Sequence, residues 1–379
     1  MKHLLLVAAL AVAALSQSVT PAPNPAPAGS LEPNLSTAPD GSLILTWIEP
    51  AKDGSASLRY SIRKGATWSE PRTIAANRHF FRHPAEVPEV MMTAANHWLA
   101  HWVEMPNPSS DAEYVYVSSS TDGIRWTIPV QAHRDRSPVQ HGLVSMLPSP
   151  DGGASLFFLE SLKGEDGPTY LVRSVLDPSG KETNEEQLDT DVCSCCPTAV
   201  AKTSKGMVLA YRDHTPKDIR DISIIRFENG KWTAPKTVNA DNWQINACPI
   251  NAAAIAASGD RVAVSWFTAA QNNPRVLAAF SSDAGATFGK PVTISTSRAH
   301  GYTSIVLDDK GTAAVSWIEQ APSTSRVLVR TISAAGVPAP VLEIAKGDRQ
   351  SLGYPKLARS GNETVIAWTA AKIQTASIH

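Results

Sequence analysis

Read for apolar and polar positions, the chain alternates with a period of two over most of its length, as in Leu58-Arg59-Tyr60-Ser61-Ile62 and Tyr114-Val115-Tyr116-Val117-Ser118. Successive side chains of an extended strand point to opposite faces, so these stretches predict strands with one buried face. Turn residues break the alternation every ten or so residues, and stretches of helical period are almost absent. The pattern predicts an all-β chain built of short strands and tight turns.

The alternation is itself repeated. A lead-in, a turn with Gly or Asn, and a strand ending in an aromatic recur, with the aromatics at Trp47, Trp102, Phe158, Tyr211, Trp266, Trp317 and Trp368. Five lead-ins carry a proline, at Pro33, Pro88, Pro197, Pro249 and Pro355. The aromatics are 51 to 56 residues apart, which is the size of a propeller blade. A third alternating strand and a short outer strand such as Thr73-Ile74-Ala75 complete each unit. Four-stranded blades set radially about an axis leave only short edges exposed. The last unit, Gly353 to His379, is short by its outer strand. Seven blades with an incomplete last one is the expected architecture, and a six-bladed ring with a C-terminal extension is the alternative.

The N-terminus has a different character. Met-Lys-His, twelve apolar residues from Leu4 to Leu15, and Ser16-Gln17-Ser18 have the order of a secretory signal. Residues 1–18 are therefore read as a signal peptide and the protein as exported, to the periplasm or the medium. Twelve apolar residues are too few to span a bilayer, which needs about 20, so no membrane anchor is expected. Residues 19–29, rich in proline, read as an extended spacer. Residues 30–379 read as a single propeller domain. A net charge of -1 with both signs scattered gives no basic face for nucleic acid.

The tight turns carry a motif. Ser281-Ser282-Asp283-Ala284-Gly285-Ala286-Thr287-Phe288 has the form Ser-x-Asp-x-Gly-x-Thr-aromatic, and Ser120-Thr121-Asp122-Gly123-Ile124-Arg125-Trp126 is a version one residue shorter. Asp accepts backbone N–H bonds across such a turn and Gly supplies a positive φ, so these residues are scaffold. A second recurrence is an acid two residues after the aromatic, at Glu49, Glu104, Glu160, Asp213 and Glu319. An acid there shares a face with the aromatic; it is expected to make a blade-to-blade hydrogen bond, and the alternative is a place in a pocket near the axis.

On these turns and repeats the chain resembles the sialidase-like proteins with Asp-box (BNR) repeats, over roughly its first six units. The resemblance implies chemistry in which three arginines hold the sugar carboxylate, a tyrosine sharpened by a glutamate is the nucleophile, and an aspartate is the acid/base. By resemblance, Arg212 in Leu209-Ala210-Tyr211-Arg212 and Arg275 in Asn273-Pro274-Arg275 are candidate carboxylate clamps. Tyr302 in Gly301-Tyr302-Thr303 is the candidate nucleophile, and Asp53 the candidate acid/base. Two roles are unfilled: Leu31-Glu32-Pro33 stands where the family has Arg-Ile-Pro, and the tyrosine's glutamate falls near Cys195 or Cys196. Phe81-Arg82-His83-Pro84 looks like the missing arginine motif but sits outside its expected place and is read as coincidence.

Four cysteines remain. Cys193-Ser194-Cys195-Cys196-Pro197 leads into the fourth unit and Cys248-Pro249 into the fifth, so neighbouring blades bring all four sulfurs into one patch. Export favours disulfides, and the strain of bridging Cys195 to Cys196 directs Cys248 to one of the trio. The alternatives are a soft metal, copper or zinc, with nitrogen from His141, His214 or His300, and thiol–disulfide exchange. Two functions are carried forward: a propeller that binds a glycan, protein or metal on the cysteine-bearing face, and a divergent exo-sialidase-type glycoside hydrolase.

Overall fold

A computed structural model describes residues 18–379 other than 94, 95, 108, 109, 166, 297 and 350. The signal segment lies outside the described residues except for Ser18. Seven antiparallel sheets follow one another around an axis, giving a seven-bladed propeller. Blades 1 to 6 start with the inner strands Leu31–Thr37, Glu89–Met92, Gln140–Pro148, Ala199–Thr203, Ala254–Ser258 and Ala299–Leu307. Blade 7 starts with Lys356–Ser360.

The outer strand missing from the last unit comes from the other end of the chain. Val19–Ala22 pairs antiparallel with Ile373–Ile378, Val19 opposite Ile378 and Ala22 opposite Thr375. Four residues assigned to a spacer on composition are thus a strand of blade 7. A proline is tolerated there because an outer strand needs ladder bonds on one side only.

All seven repeat aromatics lie in the second strand of their blade and are buried. They fill the seams between neighbouring sheets. Trp47 of blade 1 packs with Ala358, Val365 and Ala367 of blade 7, while Trp102 packs with Ile48, Leu58 and Tyr60 of blade 1. Burying a side chain of this size contributes roughly 1.5–3 kcal/mol, which is why the aromatic period marks the blades. The Asp-box turns join third to outer strands. In blade 5, Asp283 accepts the Thr287 N–H (2.9 Å) and hydroxyl (2.6 Å), and Gly285 takes φ 81°. In blade 2, Asp122 accepts the N–H groups of Ile124 and Arg125, both at 2.8 Å. Strand direction puts these turns on the face opposite the lead-ins, so they support the ring and stand away from the upper face.

Three of the five recurrent acids accept side-chain hydrogen bonds, mostly within their own blade where bonds from blade to blade were the expectation, while Glu49 forms a 3.7 Å ion pair with Arg59. Glu104 accepts the indole N–H of Trp102 and a 2.7 Å bond from Arg78, and Glu319 accepts from Trp317 (3.2 Å) and Arg326 (2.7 Å). Asp213 accepts from Ser223 at 2.7 Å. Glu160 follows Phe158, which has no N–H to give.

Candidate ligand-binding cleft

The lead-ins meet on one face around the axis. Three of them distort in the same way: Glu32 (φ 53°), Leu143 (φ 59°) and Tyr302 (φ 58°) each stand fifteen residues before their blade's aromatic, with a slip in strand register beside them. A left-handed conformation costs a bulky residue on the order of 1–3 kcal/mol and persists only where its surroundings hold it. Here they do. The Leu143 N–H donates to the Glu86 carboxylate, and the Tyr302 N–H donates to Asn251 Oδ1 at 2.8 Å. Gly301 is required beside Tyr302, since a Cβ there would fall 1.9 Å from the same Asn251 oxygen.

The bends at Glu32 and Tyr302 border a cleft of about 480 Å³ between blades 1, 6 and 7, lined also by His300, Gln320, Tyr354 and Thr369 among others. Tyr302 stacks on Tyr354 (3.8 Å between ring centres, 24° between planes), and His300 meets Tyr302 edge-on at 4.8 Å. The Tyr354 hydroxyl donates to the Ile250 carbonyl. Burial pushes both tyrosine hydroxyls above their ordinary pKa.

Three carboxyl groups gather near the axis. Burial, reinforced by Glu86, raises Glu32 to about 9 against the pull of Arg82. Burial raises Glu86 to about 8 and Glu113 to about 7. At neutral pH Glu32 is a protonated acid on the cleft wall, and its Oε2 is buried without a hydrogen-bond partner. A second cleft of about 500 Å³ shares His300 and Gln320 with the first and is lined by Arg298 and Arg349. Burial, then Arg349, lowers the His300 pKa.

The residues proposed from the resemblance are scattered. Arg212 is 2% exposed, and its guanidinium donates to the carbonyls of Asn251 (3.0 Å), Arg220 (2.6 Å) and Phe267 (2.9 Å), tying blade 4 to blade 5. Arg275 donates to the carbonyls of Ala270 and Asn273 in its own loop. Asp53 is exposed and accepts the N–H and hydroxyl of Ser55, bonds that lower its pKa and suit a turn rather than a proton donor. Of the four, Tyr302 lines the cleft. Leu31 lines it too, while Pro84, from the segment read as a coincidental motif, stands on its rim. Arg82, next to that rim, is close enough to act on Glu32.

The four sulfurs do meet. Cys195 is bonded to Cys248, with Cα atoms 5.9 Å apart. Cys193 and Cys196 are buried free thiols 3.6 Å from each other, and Cys193 lies 3.8 Å from Cys195. One disulfide and a dithiol therefore stand where two disulfides were the expectation. The hydrogen bond with Cys196, with help from Arg212 and Arg220 against burial, lowers the Cys193 thiol to about 6, while burial raises Cys196. Arg220 Nη1 is 3.2 Å from Cys193 Sγ. Among the described residues Cys193, Cys195 and Cys196 lie close enough to hold a metal together once the Cys195–Cys248 bond is reduced, and none of the three histidines belongs to that group. His214 has both ring nitrogens on carboxylates, Asp191 (2.6 Å) and Asp218 (3.2 Å), which raise its pKa despite burial. His300 sits at the junction of the clefts and His141 against Glu160.

Sequence reasoning missed Glu32, Glu86, Glu113, Arg298 and Arg349. Glu32 had a signal, its place immediately before a lead-in proline at the offset shared with Tyr302. The others had none, because nothing local marks which charged residues the fold buries or brings to a cleft.

A seven-bladed ring with Asp-box turns and an upper cleft defines a sialidase-like propeller. The chain belongs to the BNR repeat-like domain family, which matches residues 41–366. No curated protein matches it. Among solved structures, an ulvan lyase bound to -[GlcA(1-4)Rha3S]- is similar at 10% identity, covering 91% of this chain and 94% of that one, with a TM-score of 0.56. An α-L-arabinanase of Penicillium chrysogenum complexed with arabinobiose is similar at 12% identity, 96% and 98% coverage and a TM-score of 0.50. At these identities the likeness is one of fold.

Proposed function

We propose that this protein is an exported glycan-binding propeller whose upper cleft takes an acidic oligosaccharide. The observation that carries this reading is the continuity of the two clefts through His300 and Gln320. Sugar rings lie against Tyr302 and His300, the protonated Glu32 donates to a hydroxyl or ring oxygen, and a uronate or sulfate one residue further along meets Arg298 and Arg349. Aromatic faces with a few placed polar groups are the usual make-up of such a site, and guanidinium forks suit carboxylate and sulfate. The acidic ligand of the similar ulvan lyase fits this reading. Terminal sialic acid hydrolysis is disfavoured, because Arg212 and Arg275 are engaged with backbone carbonyls and Tyr302 has burial, rather than a carboxylate base, acting on it.

One observation favours a second reading, cleavage with Glu32 as general acid. Its raised pKa leaves it protonated at neutral pH, as a proton donor to a leaving oxygen must be. The cysteines are read as a staple beside a reactive dithiol. Copper or zinc would bind all four sulfurs only after reduction of the Cys195–Cys248 bond.

The test is calorimetric titration with a uronate-containing oligosaccharide and its neutral counterpart of the same linkage. The acidic ligand is expected to bind at least about tenfold more tightly, with the difference lost in Arg298→Ala/Arg349→Ala. Equal binding of the two ligands, or an unchanged preference in the double variant, overturns the proposal. A reducing-end assay on the same samples, with Glu32→Gln as control, decides between binding and cleavage.

A further inference from the structure

Blade 3 departs from the arrangement of blades 2 and 6 at a chemically specific place. In blades 2 and 6 the acid two residues after the aromatic accepts the indole N–H of Trp102 or Trp317. Phe158 has no such donor, and Glu160 faces His141 instead, its direct cross-strand partner. His141 is fully buried, and its Nδ1 lies 3.1 Å from the Glu113 carbonyl. A carbonyl only accepts, so Nδ1 carries the hydrogen, and in the neutral ring Nε2 presents a lone pair.

That lone pair points at two carboxylates. Nε2 is 3.5 Å from Glu160 Oε2 and 3.8 Å from Asp135 Oδ2, and it has no hydrogen-bond partner. Both distances are too long for an N–H···O bond, which is most often about 2.9–3.0 Å. They are close to the separation of two ligands on a common ion. With bonds of about 2.0–2.2 Å and tetrahedral angles, neighbouring ligand atoms stand about 3.4 Å apart. The three atoms lie within 4.8 Å of one another.

The ligands are also held from behind. The Glu113 carbonyl fixes the His141 tautomer, the usual way a protein orients a metal-bound imidazole. Ser137 donates its hydroxyl (2.6 Å) and N–H (2.8 Å) to the Asp135 carboxylate. His133 stacks on His141 with ring centres 3.9 Å apart and planes 11° apart, which holds the plane of that ring. Asp135 is one-third exposed and Glu160 little exposed, so the group opens to solvent on the Asp135 side.

We propose that Asp135, His141 and Glu160 form a binding site for a divalent cation of the zinc class, with a fourth position open to water. One nitrogen and two carboxylate oxygens suit zinc or a neighbouring transition ion better than calcium, which prefers six to eight oxygens. The site clasps the linker between blades 2 and 3, which carries Asp135, onto the first two strands of blade 3. It is separate from the cysteine cluster, which would bind the same ions through sulfur.

Cobalt(II) distinguishes the two. The full-length mature protein carrying Cys193→Ser and Cys196→Ser is stripped with chelator, titrated with cobalt(II), and followed by absorption and elemental analysis. One equivalent is expected, with weak visible bands and no near-ultraviolet thiolate charge-transfer band. Glu160→Gln and Asp135→Asn in that background should each lower affinity by at least about a hundredfold. Glu160→Gln is nearly isosteric and Asp135→Asn lies in a surface loop, so the test survives if His141→Ala does not fold. Failure of the Cys193→Ser/Cys196→Ser protein to take up cobalt overturns the assignment, as does uptake that Glu160→Gln and Asp135→Asn leave unchanged.

Discussion

Ser18 and His379 exchange two backbone hydrogen bonds, Ser18 N–H to His379 O at 3.2 Å and His379 N–H to Ser18 O at 3.0 Å, so the first and last described residues are neighbours. The ring is closed by this ladder between Val19–Ala22 and Ile373–Ile378 and by the packing of Val19 against blade 7.

Removing residues 18–22 from a chain that begins at Ser18 should therefore destabilise the whole ring by a few kcal/mol, about 1 for each ladder hydrogen bond lost. Thermal unfolding of the two chains measures it. An unchanged Tm would mean that the strand is an ornament on blade 7.

Arg212→Ala should cost about 3–5 kcal/mol, since three buried carbonyls lose a charged donor at once. Arg275→Ala, whose bonds are within its own loop, should cost less than about 1 kcal/mol. Denaturant unfolding compares them. Similar small losses would return Arg212 to the list of ligand-binding groups.

Stability should fall as pH rises from about 4.5 towards 9. Glu32, Glu86 and Glu113 have folded-state pKa values raised to about 9, 8 and 7. Below the unfolded value near 4.5 both states hold these protons. Above it the unfolded chain releases them while the folded one retains them, so folding is progressively disfavoured until each folded pKa is passed. Lys356, buried beside Glu86 and Glu89 with its own pKa lowered, acts with the opposite sign in alkali. The Gln variants separate the two effects. Glu32→Gln and Glu86→Gln should raise Tm by several degrees at about pH 9 and little at about pH 5, where the wild-type acids are already neutral.

Thiol chemistry should divide the four cysteines in two. Denatured without reductant, the protein should alkylate at Cys193 and Cys196, and peptide mapping should recover Cys195 joined to Cys248. In the folded state thiolate absorbance should appear near pH 6 from Cys193, and Arg220→Ala should move it upward. Four alkylated cysteines, or none, would refute this pairing.

The architecture is legible along the chain. The period of two sets the strands, the aromatics from Trp47 to Trp368 set the blades, and the Asp-box residues set the turns, because each signal acts over a few residues of chain. It also brought the four cysteines together, since two adjacent lead-ins carry them. Tertiary structure decided what those residues are free to do. Arg212 looks like a ligand clamp until Asn251 and Phe267, from another blade, are seen to hold it. Residues 19–22 look like spacer until Ile373–Ile378 offers them an edge. Glu32 becomes a neutral acid only through burial near Glu86, and Glu160 becomes a candidate metal ligand only because Asp135 arrives beside His141 from the preceding linker. Strand and turn are local properties, but charge, exposure and ligand geometry depend on groups that the chain brings together from distant positions.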